Sequence, residues 1–237
     1  FGQESETCAE TQTQFSAIGV RLSPKRIHLS FRGTDNTLIG WKEDLDMGFV
    51  CPVPAQSQAV RYREKMASAR PGEITLGGHS KGGNLAMYAA MQCGEEVQEK
   101  ILSVYDNDGP GVPEGFFHGK DTEKILKKVT RIIPEASVIG MLLTHQKEPV
   151  IVDSTQKGIM QHDAFSWEIM GPSFIRKEKL TRKAETMDQQ LHKWIDGMNE
   201  EQRANLITEL FSVLEATGAE TIQQILDGGV KSLAAMA

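Results

Sequence analysis

Glu73-Ile74-Thr75-Leu76-Gly77-Gly78-His79-Ser80-Lys81-Gly82-Gly83-Asn84-Leu85-Ala86 is the stretch that decides the fold. Residues 73–77 read as a short strand, and residues 81–91, with Leu85, Ala86, Tyr88, Ala89 and Ala90, as a helix with an apolar face. Between them, Gly78-His79-Ser80-Lys81-Gly82 sets a serine on a sharp strand-to-helix turn flanked by glycines. Small neighbours let the backbone turn without clashes. The helix N-terminus behind the serine offers N–H groups and a positive dipole end to a developing oxyanion. The spacing G-x-S-x-G also arises by chance and in structural glycine-rich turns; the strand before it and the helix after it mark this one as a nucleophile turn.

Working outward, residues 11–21 and 27–31 alternate as two early strands, and residues 56–69 carry Ala59, Val60, Tyr62, Met66 and Ala69 near helical spacing, ended by Pro71-Gly72. Residues 101–105, 129–133 and 150–152 read as further strands with helix or loop between them. Such alternation predicts an α/β protein with a mainly parallel sheet covered by helices on both faces, and with the serine turn it predicts the α/β-hydrolase fold. From Glu178 onward strand signals vanish. Asn199 with Gln202 forms a capping box, Leu206, Ile207, Leu210, Phe211 and Leu214 share one helical face, and Gly218 suits a C-cap. The expected organisation is a hydrolase core over residues 1–176 and a helical appendage over 177–237. Packing on the core is the simpler expectation for that appendage than a lid or partner helix.

The 237 residues, 39% hydrophobic and 24% charged, suit one soluble domain with one core, which excludes disordered and fibrous classes. A net charge of −6 without clustered Lys and Arg argues against nucleic-acid and anionic-membrane partners. Cys8, Cys51 and Cys93 fit neither a disulfide framework nor a zinc site, so a reducing, cytoplasmic location is expected. No apolar run reaches the ~18 residues of a membrane span, and no secretory signal opens the chain. Because the sequence opens on Phe1, its N-terminal part is expected to be incomplete.

Serine is a poor nucleophile until a base removes its proton, so a histidine and an orienting carboxylate are expected later in the chain. Phe31-Arg32-Gly33-Thr34, Trp41 and Asp44, followed by Gly78 to Ala86, resemble the class 3 lipases. A narrower resemblance joins residues 31–37, residues 78–86, Asn107-Asp108-Gly109-Pro110-Gly111 and His162-Asp163-Ala164-Phe165-Ser166-Trp167 to the bacterial DUF2974, or Mbeg1-like, family of α/β-hydrolases. That likeness spans residues 14–167, and it implies a serine hydrolase of unsettled substrate.

Six histidines compete for the base: His28, His79, His118, His145, His162 and His192. In α/β-hydrolases the base follows the nucleophile, on a loop after the last strand, which excludes His28 and disfavours His79 within the turn. His162 fits best, where both resembled families place theirs. His192 lies in a predicted helix, where a surface histidine is the simpler reading, and His118 and His145 stay open on loops. For the acid, Asp108 is favoured because it belongs to the segment shared with DUF2974, with Asp106 and Glu135 as alternatives. Ser137 stands where class 3 lipases would place an acid, yet a serine cannot stabilise an imidazolium as a carboxylate does.

The backbone N–H of Lys81 supplies one oxyanion donor. The resemblance assigns the second to Thr34, whose hydroxyl is a possible additional donor. The Lys81 ammonium is read as solvated or ion-paired rather than as a substrate anchor. The expected function is hydrolysis of an ester or other small acyl or lipid-like compound through an acyl-enzyme on Ser80, with no metal or other cofactor. The competing readings are a non-catalytic binding module of the same fold, and peptidase or thioesterase chemistry with the same nucleophile.

Overall fold

The computed structural model describes residues 2–70, 72–117, 122–225 and 227. Pro71 and His118 lie outside the described residues. Seven strands stand side by side in chain order: β1 (Gln3–Cys8), β2 (Thr13–Ser23), β3 (Arg26–Phe31), β4 (Glu73–His79), β5 (Ile101–Asn107), β6 (Val129–Pro134) and β7 (Pro149–Val152). The first three pair antiparallel, and β3 through β7 run parallel. Parallel neighbours need crossover connections. α1 (Leu38–Asp46) and α2 (Pro54–Ala69) lead from β3 to β4, α3 (Lys81–Met91) and α4 (Glu95–Lys100) from β4 to β5, and α5 (Glu123–Leu126) from β5 to β6. This is the α/β-hydrolase arrangement, with the serine turn at the end of central strand β4.

The core lies between one face of the sheet and α2 and α3. Ile27, Leu29 and Phe31 alternate along β3, and Ile74 and Leu76 along β4, all buried against Ala59, Tyr62 and Met66 of α2 and Leu85, Ala86 and Ala89 of α3. Phe15, Phe31 and Tyr62 meet with ring centroids 6.0–6.4 Å apart. Each fully buried large side chain contributes about 1.5–3 kcal/mol.

Helices flank the sheet, and among the described residues α2 and α3 pack on one face of β2 to β5 where cover on both was expected. The opposite face of β2 to β5 stays open, with Ile18, Val20, Leu22 and Tyr105 each at least 40% exposed. Loops follow β7 instead, through a hairpin of β8 (Ile169–Met170) and β9 (Ser173–Phe174), before α6 (Arg182–Asp196) and α7 (Glu200–Glu215). The Asn199–Gln202 capping box forms, both bonds at 2.9 Å. The segment after α7 joins the chain ahead of α1, where Leu38 N donates to Glu220 O and Ile222 N to Asn36 O. Of the apolar face read on α7, Phe211 is buried while Leu206 and Leu210 are exposed. The helix therefore leans on α1 through a narrower stripe than its sequence suggested.

Candidate active site

Close approach dictates the glycines of the turn. A Cβ on Gly78 would lie 2.3 Å from the Gly82 backbone, and one on Gly82 would lie 2.1 Å from Phe31 O. Strand β3, the end of β4 and the start of α3 thus touch backbone to backbone, which forces Ser80 to φ 58°, ψ −132°. Such a conformation costs a residue with a Cβ about 1–3 kcal/mol and persists only where its surroundings hold it. Here Ser80 N donates to Asn107 O, and Ser80 O accepts from Gly83 N, both at 2.9 Å.

The turn after β5 packs against this serine. A Cβ on Gly109 would lie 2.6 Å from Ser80 O. Asn84 Nδ2 donates to the carbonyls of Pro110 and Gly111 at 3.1 and 2.6 Å, tying the turn to α3. Within it Asp108 has φ 53°, a left-handed conformation that Asp tolerates better than most residues. Its buried carboxylate accepts from three donors: Ser137 Oγ–H at 2.5 Å and Gly140 N–H at 3.2 Å on Oδ1, and His162 Nδ1–H at 2.7 Å on Oδ2. A carboxylate only accepts, so His162 donates through Nδ1, and in the neutral imidazole that tautomer leaves the lone pair on Nε2.

His162 belongs to the loop between β7 and β8, and its backbone is held as well. His79 Nε2–H donates to His162 O at 2.6 Å, and the two rings lie 4.5 Å apart at 39°. Burial, then the neighbouring His162, pushes the His79 pKa below its ordinary value, so His79 is held neutral as a donor. Trp167 packs edge-on against His79, and its Nε1–H donates to Gln161 O.

The other carboxylates point elsewhere. Asp106 is fully buried on the α3 side, its Oδ1 accepting from Gly109 N at 3.0 Å, with Arg131 Nε 3.8 Å from Oδ2. Burial pushes its pKa up to about 7 despite that cation. Glu135 lies 4.0 Å from Lys177. Among the other described histidines, His28 pairs with Thr75 and His192 with Asp188, while the pKa of the half-buried His145 is driven down to about 3 by desolvation and then by Arg131.

The Lys81 side chain is neither solvated nor open to substrate. It is 1% exposed and bonds Glu43 Oε2 at 2.6 Å and Gln14 Oε1 at 3.2 Å, with Asp44 at 3.5 Å. Glu43 also accepts from Gln14 N and Ala55 N, so this network ties α1, α2, α3 and β2 together behind the turn. The Thr34 hydroxyl, read as a possible oxyanion donor, donates instead to Asp44 Oδ2. The backbone N–H groups of Thr34 and Lys81 have no acceptor among the described residues. Gly33, between Arg32 and Thr34, brings that loop to the serine: a Cβ on it would lie 3.3 Å from Ser80 Cβ.

The sequence reading gave no role to His79 or Gly140, and it weighed Ser137 only as a stand-in for a missing acid. Among the described residues no His, Cys, Asp or Glu cluster is arranged to hold a metal ion, and no helix is long and apolar enough to cross a membrane.

No curated protein matches the chain. Among solved structures, Rhizomucor miehei lipase in its propeptide complex is similar at 19% identity and TM-score 0.46, over 64% of this chain and 56% of that one. A fungal lipase in an inhibitor complex is similar at 17% and 0.43, over 64% and 67%. M37 lipase is similar at 15% and 0.43, over 59% and 53%. The chain thus spans little more than half the length of the first of these lipases. The Mbeg1-like family profile matches residues 4–212, most of the sequence, and the chain belongs to that family.

Proposed function

We propose that this protein is a serine hydrolase that cleaves an ester or other acyl compound through an acyl-enzyme on Ser80. The observation that carries this reading is the Asp108–His162 hydrogen bond, made from the turn whose Gly109 packs on the backbone of Ser80, a serine held in a strained turn at a helix N-terminus. His162 Nε2 takes the Ser80 proton as Oγ attacks the acyl carbonyl, and Asp108 stabilises the imidazolium that results. The N–H groups of Lys81 and Thr34 receive the oxyanion, preorganised and without competing acceptors. His162 returns the proton to the leaving group, and water releases the acyl group by the same path in reverse.

Exposed apolar side chains flank the base: Ile159 and Met160 are 61% and 62% exposed, and Phe165 fully so. They favour an acyl chain over a wholly polar substrate. The rival reading, a binding module without turnover, leaned on an unmatched acid, and a carboxylate on His162 Nδ1 removes that support. Ser80→Ala is expected to abolish turnover of short-chain aryl esters while leaving the circular dichroism unchanged. Turnover that survives this change would remove Ser80 from the reaction.

A further inference from the structure

The open face of the sheet carries a cavity of about 410 Å³ beside the serine turn, lined in part by Gly33, Gly78 and His79. Phe31 and Gly77 line it as well, together with the side chains of His28, Ser30, Arg32, Tyr105 and Asn107. Parallel strands ordinarily present apolar residues on both faces. Here the outward positions at the ends of β3, β4 and β5 are polar or glycine instead. Gly77 makes the floor, since a Cβ there would lie 3.2 Å from Tyr105 Cβ and 3.3 Å from His28 Cε1.

The charge of this cavity runs against that of the chain. The net charge is −6, yet among the described residues no carboxylate lines the cavity. Arg32 is exposed, and among the described residues its guanidinium has no hydrogen-bond or ion-pair partner. It directly precedes Gly33, the residue in contact range of Ser80, so it stands at the wall shared by cavity and nucleophile. Lys81, the other cation at the turn, is consumed by Glu43. Ser30, Tyr105 and Asn107 add side-chain donors to the five N–H groups of Arg32. His79 closes the cavity toward His162, its ring 4.5 Å from the ring of the base.

We propose that this cavity is a subsite for an anionic head group, a phosphate or carboxylate, carried by the acyl ester cleaved at Ser80. It rests on the hydrolase reading and deepens it: the acyl chain lies along the apolar loop about His162, and Arg32 receives the anion as a forked donor.

The test separates binding from turnover. Inorganic phosphate, phenyl phosphate, benzoate and phenol are titrated at low ionic strength into the Ser80→Ala protein and into Ser80→Ala/Arg32→Gln. The phosphates are followed by ³¹P NMR and the others by protein chemical shifts. Low salt matters because an exposed guanidinium is screened. Saturable binding of the anions, absent for phenol and weakened roughly ten-fold or more by Arg32→Gln, is expected. Preference between phosphate and benzoate identifies which anion the substrate bears. In the protein with Ser80 intact, an ester bearing that anion is expected to exceed its neutral isostere in kcat/KM, and Arg32→Gln to reduce that ratio. No saturable anion binding, or binding indifferent to Arg32→Gln, overturns the subsite while leaving chemistry at Ser80 intact. Anion binding with no ester turnover would instead defeat the hydrolase reading.

Discussion

Asp106 and Asp108 stand two residues apart at the end of one strand and meet different surroundings because the chain changes hand between them. Strand alternation puts residues i and i+2 on the same face. The φ of 53° at Asp108 breaks that rule, so Asp106 stays against α3, where a Cβ on Gly83 would lie 2.3 Å from its Oδ1, while Asp108 reaches His162, Ser137 and Gly140. Asp108→Asn is therefore expected to lower kcat/KM for an ester by about 10³–10⁴-fold, since an amide would hold the wrong imidazole tautomer. Glu135→Gln should change it by less than about three-fold. Steady-state kinetics on both variants decide the matter, and a large loss at Glu135 with a small one at Asp108 would reverse the assignment. The sequence left the three acids open for a physical reason: a left-handed aspartate before Gly109 reads the same as an ordinary Asp-Gly turn. Likewise, nothing in the letters reveals that the His79 ring donates to the carbonyl of a residue 83 positions later.

At the scale of elements, the strand, turn and helix around Ser80 were legible because their signals are local: a short apolar run, small residues at fixed spacing, then helix formers. β1 and α1 were not. Gln3–Cys8 is an edge strand of mostly exposed residues, held by backbone pairing to β2 rather than by a buried face. Helix α1 buries Leu38, Gly40 and Glu43, and a buried glutamate does not register in an apolar pattern. Its purpose is visible only once Lys81 meets Glu43. The glycines of the turn give a steric prediction. Gly82→Ala places a Cβ against Phe31 O and is expected to lower Tm by about 10 °C or more, whereas Gly115→Ala, with nothing within 4 Å, should leave Tm within about 2 °C. Thermal unfolding followed by circular dichroism compares the two, and equal melting points would mean that β3 and α3 do not approach as described.

For the whole molecule, alternation of strands and helices identified a mainly parallel sheet but misjudged its cover. Local periodicity tells which residues of a strand can be buried, not whether a helix returns to each face, and the exposed Ile18, Val20 and Leu22 would read equally well as buried. Stability as a function of pH also belongs to this scale. Asp106 is raised from its ordinary 3.8 to about 7, chiefly by burial, so the folded protein keeps a proton that the unfolded chain gives up. Its contribution is present below about pH 4 and is lost as pH rises to about 7. Asp44, raised to about 6 for the same first cause, acts in the same direction. Asp106→Asn keeps an acceptor for Gly109 N–H and removes the titration, so the difference in Tm between variant and parent should shift in favour of the variant from pH 4 to pH 7. A difference that stays constant across that range would show that Asp106 ionises normally in the fold.

Labelling of the purified protein with a fluorophosphonate, followed by peptide mapping of the adduct, tests the assignment of Ser80 most directly, because the reagent reacts with a serine only when a base and an oxyanion site activate it. A single adduct on Ser80 is predicted, absent in Ser80→Ala and greatly slowed in His162→Ala. A folded protein that takes up no label, or takes it up at another residue, would contradict the assignment of Ser80, His162 and Asp108 as a hydrolytic site.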